Sequence, residues 1–100
     1  MHQFKELGIW KKSRFFCSEI YSITSTFPND EKFGITNQLR RTSVSIPSNI
    51  AEGSSRNSNK DFSRFLEIAI GSAYEIETQL LIDLGFIHQD KLDSLLMQLE

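Results

Sequence analysis

Phe62, Leu66, Ala69, Ala73, Ile76, Leu80 and Leu84 recur at four- and three-residue steps that alternate almost throughout, and nothing else in the chain constrains its fold so strongly. Such spacing keeps one apolar seam along a helix, the seam of a left-handed bundle whose neighbours cross at roughly 20°. It predicts a helix over residues 58–84, about 40 Å long. Ser58-Asn59-Lys60-Asp61 opens it in the manner of a capping box, the Ser58 hydroxyl reaching the Asp61 amide while the carboxylate sits at the positive helix end. Ala69, Gly71, Ser72 and Ala73 leave room for a close neighbour at its middle. Gly71 costs about 1 kcal/mol relative to alanine, which close packing would offset.

Upstream, Ile9, Phe16, Ile20, Ile23 and Phe27, flanked by Trp10, Cys17 and Tyr21, make one broad apolar face and predict a first helix from Leu7 to Phe27. Pro28-Asn29-Asp30 ends it, because proline cannot continue the ladder and Asn and Asp favour turns. A second stripe, Ile35, Leu39, Thr42, Ile46 and Ile50, runs straight through Pro47. Proline costs one backbone bond, to the Ser43 carbonyl, and predicts one helix kinked at Pro47. A break there would make Ile46 an N-cap, a poor residue for that position. Gly53-Ser54-Ser55-Arg56-Asn57 reads as a short linker, which makes the second and third helices antiparallel neighbours.

Gly85 follows Leu84 as a left-handed C-cap, with Phe86 and Ile87 folding back on the last turn. A fourth helix begins near Gln89 and carries Leu92, Leu95, Leu96 and Leu99 on one side. Glu100 closes the sequence without a stop signal, so this helix is expected to be short. Part of the bundle groove is then open to water or covered by another copy. The fold class is all-α, one domain over residues 1–100, which is long enough to build a core without metal or disulfide staples.

The formal net charge is −2, but it is unevenly spread: 0 over residues 1–31, +4 over 32–64 and −6 over 65–100. Lys32, Arg40, Arg41, Arg56, Lys60 and Arg64 give the middle its excess. Such asymmetry suits pairing of unlike faces, within the chain or between copies, or a basic patch for phosphates. A pI near 5.7 weighs against a dedicated nucleic-acid binder. The chain lacks any run of 18 apolar residues and any charged-then-apolar leader layout, and the expected location is the cytoplasm, with no membrane partner.

Catalytic constellations are scarce. Cys17 is the single cysteine and falls on the apolar face of the first helix, where a thiol is usually an inert small hydrophobe. His2 and His88 lack ligand spacing, and no Glu-x-x-His motif is present. Glu75 and Glu77 point in different directions on a helix. The glycines form neither a phosphate loop nor a dinucleotide fingerprint. No catalytic residue, metal or cofactor is expected.

One polar pattern stands out. Gln38, Arg41, Ser45, Asn49, Glu52 and Arg56 recur at three- and four-residue intervals beside the apolar stripe of the second helix. It is either an ordinary wetted side or a functional seam, between subunits or against phosphates. In the functional case Arg40, Arg41, Arg56, Lys60 and Arg64 supply donors while Asn49 and Glu52 fix their geometry.

The run Phe27-Pro28, Glu31, Phe33-Gly34-Ile35-Thr36, Gln38-Leu39-Arg40-Arg41 and then Ser45-Ile46-Pro47-Ser48-Asn49-Ile50-Ala51-Glu52-Gly53 resembles the bacterial four-helix-bundle family of the 23S rRNA intervening-sequence protein. The likeness extends upstream through Phe4, Leu7, Trp10 and Tyr21, and downstream through Phe62, Phe65-Leu66, Ala69, Gly71-Ser72, Glu75, Glu77 and Leu80. It implies an antiparallel up-and-down four-helix bundle that assembles as a homopentamer without catalytic activity. Gln38, Ser45, Pro47, Asn49, Glu52 and Gly53 are its motif or interface positions. Thr42 departs from the pattern, which usually has a small apolar residue there. Related accessory variability proteins of retroelements partner a reverse transcriptase and nucleic acid. The expectation is therefore a self-assembling, non-enzymatic scaffold or adaptor associated with rRNA or other nucleic acid; the alternative is a protein-interaction module that never touches RNA.

Overall fold

A computed structural model describes the backbone of residues 3–82 and the side chains of residues 3–30 and 34–79. These residues are helical throughout their ordered elements, and none of them forms a strand. A 3-10 turn, Phe4–Glu6, leads into α1 (Gly8–Thr24), then α2 (Asn37–Ser54) and α3 (Asn59–Ile82). The predicted fourth helix, with Gly85 before it, lies outside the described residues, as does His2.

α1 buries Ser13, Phe16, Ile20 and Thr24, at the expected three- and four-residue steps. The two hydroxyls stay satisfied inside because each bonds back along its own helix, Ser13 to the Trp10 carbonyl at 2.9 Å and Thr24 to the Ile20 carbonyl at 2.7 Å. The helix stops at Thr24, short of Phe27. Ser25 and Thr26 draw the last carbonyls into tight turns through their own hydroxyls, and the residue before a proline avoids the helical region. Phe27 still reaches the core. Ile9, placed on the apolar stripe by its spacing, is exposed.

Between α1 and α2 the chain makes a 3-10 turn, Asn29–Glu31, and a wide turn, Lys32–Thr36, broken at Gly34. Gly34 has φ −103° and ψ −109°, outside the helical region, and this separates the turn from α2. α2 then runs without interruption through Pro47. Ile46 is thus a buried position within a helix and not an N-cap. Leu39, Ser43, Ile46, Ile50, Gly53 and Ser54 form its buried stripe. Ser43, not Thr42, is the fully buried position in the middle of that stripe.

α2 is the central helix, packed against both α1 and α3. Phe16, Ile20, Phe27, Leu39, Ile46, Ile50, Ala69 and Ile76 make the core, with Leu7, Trp10, Ile23, Ile35, Leu66 and Ala73 around it. Ser58 caps α3 as expected, its hydroxyl accepting the Asp61 amide at 3.1 Å. Two glycine expectations change. Gly53 belongs to the last turn of α2 and not to the linker, because α3 crosses so close that a Cβ there would stand 2.7 Å from Phe65 Cβ and 3.0 Å from Phe62 Cδ1. Gly71 is exposed, with nothing within 4 Å of a Cβ, so no close packing against the described residues offsets its helix cost.

Alanine at the two glycines should therefore act in opposite directions. Gly53→Ala is expected to destabilise by about 1–3 kcal/mol, since the clash involves atoms next to the α3 backbone. Gly71→Ala should stabilise by about 0.5–1 kcal/mol. Urea denaturation followed by circular dichroism gives both values, and equal signs would contradict the packing.

Candidate nucleic-acid interface

The polar line of α2 faces α3 along a shallow open groove of about 380 Å³, lined by Gln38, Arg41, Thr42, Ser45, Ser72 and Glu75. Gln38 Nε2 donates to Glu75 Oε1 at 3.3 Å, and the Ser45 and Ser72 hydroxyls meet at 2.6 Å. Ser45 Oγ also lies 2.6 Å from the Thr42 carbonyl oxygen. Ser45 Oγ is the donor in both contacts, its one proton shared between the Thr42 carbonyl and the Ser72 hydroxyl. Asn49 turns back on its own helix, Nδ2 donating to the Ser45 carbonyl at 2.7 Å. Pro47 and Gly53 take no part in this groove; Gly53 marks the close crossing at its upper end.

The five basic residues do not form one patch. Arg40 turns to the opposite side of α2 and binds α1: Nε donates to Thr24 Oγ1 at 2.8 Å, and a terminal nitrogen donates to the Tyr21 carbonyl at 3.2 Å. Its guanidinium lies 4.9 Å from the Tyr21 ring centre. α1 has no basic residue of its own in its last turn, so Arg40 supplies the positive charge that the carbonyl end of a helix favours. Arg56 pairs with Glu52 at 2.7 Å and covers the Phe65 ring at 4.8 Å. Both partners are largely exposed, which makes the pair a weak one. Lys60 and Arg64, one turn apart on α3, share that corner with Arg56. Arg41 lies about 20 Å away, at the far end of the groove. Arg41, Lys60 and Arg64 are exposed and make no ion pair among the described residues.

Cys17 packs between α1 and α2, 3.4 Å from Ser43 Oγ. Ser43 already donates to the Arg40 carbonyl at 2.9 Å, so the thiol is the donor of the pair. Among the described residues, no three His, Cys, Asp or Glu side chains gather as a metal site would require, and no helix is long and apolar enough to cross a membrane.

Ser72, Glu75, Tyr21 and Thr24 complete these contacts, and the polar line alone does not point to them. The antiparallel pairing of α2 and α3 opposes Gln38 to Glu75 and Ser45 to Ser72, so the linker length held that part of the signal. The reach of Arg40 across to α1 left no trace in local spacing.

A helical layer with a polar groove and a Ser-Ile-Pro-Ser-Asn-Ile-Ala-Glu-Gly helix at its centre matches one known sequence pattern, described as 23S rRNA-intervening sequence protein, over residues 5–100. The chain belongs to that family. No curated protein matches the chain closely enough to lend it a role. Within this family member, the most specific part of the motif, residues 45–53, is the stretch of α2 that meets α3 at Ser45 and Gly53.

Arg40 and Arg41 should separate on substitution. Arg40→Ala is expected to lower stability by about 1–2 kcal/mol through loss of its charged hydrogen bonds to α1, whereas Arg41→Ala should stay within about 0.5 kcal/mol of wild type. Paired urea titrations check this; equal losses would contradict the placement of Arg40.

Proposed function

We propose that this chain is a non-enzymatic scaffold or adaptor that self-associates as a homopentamer and contacts rRNA or other nucleic acid. The observation that carries the self-association is exposed apolar surface. On α3, Ile70 and Tyr74 are 52% and 66% exposed, and Ile68 is about as open. A surface of this kind marks a face awaiting further helices, from the same chain or from other copies. In this reading the bundle has four helices, α2 is kinked at Pro47, and the Leu-rich chain end supplies a short fourth helix. Gln38, Ser45, Pro47, Asn49, Glu52 and Gly53 shape the interface, and Arg41, Arg56, Lys60 and Arg64 are its nucleic-acid contacts, while Arg40 is held at the joint with α1.

The family description supports the RNA association. A second reading, a protein-interaction module without RNA, draws on the acidic balance of the chain and on Glu52 neutralising Arg56. Light scattering with dual-wavelength absorbance, on protein purified without nuclease, tests both. The expected result is a mass of five 11.5 kDa chains with bound nucleic acid that salt removes. Arg41→Glu with Arg56→Glu should reduce the bound nucleic acid or the assembly mass. A clean pentamer selects the second reading, and a clean monomer rejects self-association.

A further inference from the structure

The outward flank of α1 combines cations and aromatic rings that the α2–α3 groove does not use. Lys11, Phe15, Ser18 and Ser22 follow one another at four- and three-residue steps, and all are exposed. Arg14 and Tyr21 stand beside them, also exposed. These residues point away from Phe16 and Ile20, which fill the core side of the same helix. Between Leu7 and Ser18 the chain has Lys11, Lys12 and Arg14 and no acidic residue. None of these cations makes an ion pair among the described residues, in contrast to Arg56 at the α2–α3 corner. Two rings on this flank hold guanidinium groups, Arg14 at 5.9 Å from the Trp10 centre and Arg40 at 4.9 Å from that of Tyr21. Phe15, 59% exposed, has no such partner among the described residues.

We infer that this flank binds single-stranded nucleic acid, with Lys11 and Arg14 on the phosphates and Phe15 stacking a base. The inference rests on the nucleic-acid reading above and moves its main contact from the middle of the chain to α1. Unpaired cations interleaved with open aromatic faces are what a flexible polyanion with stackable bases requires. A duplex keeps its bases stacked on one another and offers nothing to Phe15. An anionic membrane is disfavoured because an interfacial helix inserts its apolar face, and that of α1 is occupied by α2 and the core.

Trp10 is the single tryptophan; it is half-buried at the edge of the core with Arg14 over its ring, so its emission responds to changes at Arg14. The full-length chain is titrated with oligouridylate, with an RNA duplex of equal length, and with phosphatidylserine vesicles. Oligouridylate should change Trp10 emission and bind more tightly than the duplex. Lys11→Glu with Arg14→Glu should weaken binding at least tenfold and flatten its salt dependence in a log–log plot by about 0.7 for each phosphate no longer neutralised. Phe15→Leu, which keeps an apolar side chain but removes the ring face, should weaken it about 5- to 100-fold. Thr78→Glu, an added negative charge at an exposed position far along α3 from Lys60 and Arg64, should stay within about twofold of wild type. Circular dichroism checks that each variant is folded. Binding that is abolished in Arg41→Glu with Arg56→Glu but unchanged in the α1 variants, with Trp10 emission constant, overturns the α1 assignment and leaves the nucleic-acid reading standing. Wild-type protein that binds neither RNA overturns both. A Trp10 response to vesicles alone overturns the inference in favour of a lipid surface.

Discussion

Where α2 meets the first turns of α3, no space remains for a side chain at residue 53: a Cβ there would stand 2.7 Å from Phe65 Cβ. Glycine lets the two backbones approach at that point, and the short Ser55–Ser58 connection fixes where they do so. With one end of the pair pinned, the register of the rest follows. Ser45 meets Ser72, Gln38 meets Glu75, and the polar groove opens between them. A shift of one residue in either helix would rotate these partners apart by about 100°. The family motif at residues 45–53 thus coincides with the stretch that sets the geometry of the candidate interface.

On the other side of α2 the contacts are polar but buried or half-buried. Ser13, Thr24 and Ser43 lie inside the fold, and each donates to a carbonyl of its own helix. That leaves Thr24 and Ser43 free to accept from a neighbour, Arg40 Nε in one case and the Cys17 thiol in the other. Small hydroxyls permit close packing of helices without stranding a donor. Arg40 is consequently part of the joint between α1 and α2, while the sequence-adjacent Arg41 faces the groove. The two arginines point some 100° apart around the helix axis, and they therefore serve different surfaces.

The helices are legible in the sequence because the periodic stripes are long and their ends carry local signals. The Ser58 cap and Pro28 are examples, since their effects depend on backbone chemistry within three or four residues. Single-residue burial is less legible. Thr42 and Ser43 differ by one position on the helix surface, and spacing alone favours Thr42 because it continues the apolar rhythm. Burial falls on Ser43 because a hydroxyl back-bonded to Arg40 is small enough to sit between α1 and α2. Gly53 takes the close-approach role expected of Gly71, which stands exposed in the middle of α3, for a similar reason: only the position of the neighbouring helix shows which glycine it crosses.

For the candidate interface, the sequence by itself determined the polar line on α2, the basic residues near it and the family. Those are properties of spacing and residue type along one chain. The tertiary structure alone decided that Arg40 leaves that surface for α1, that Arg56 covers Phe65, and that Arg41 is separated from the corner formed by Lys60 and Arg64. It also decided that the outward flank of α1 keeps its cations unpaired among the described residues. Lateral partners depend on how helices distant in sequence are rotated against one another, and that rotation is fixed by packing at points such as Gly53, which no local pattern encodes.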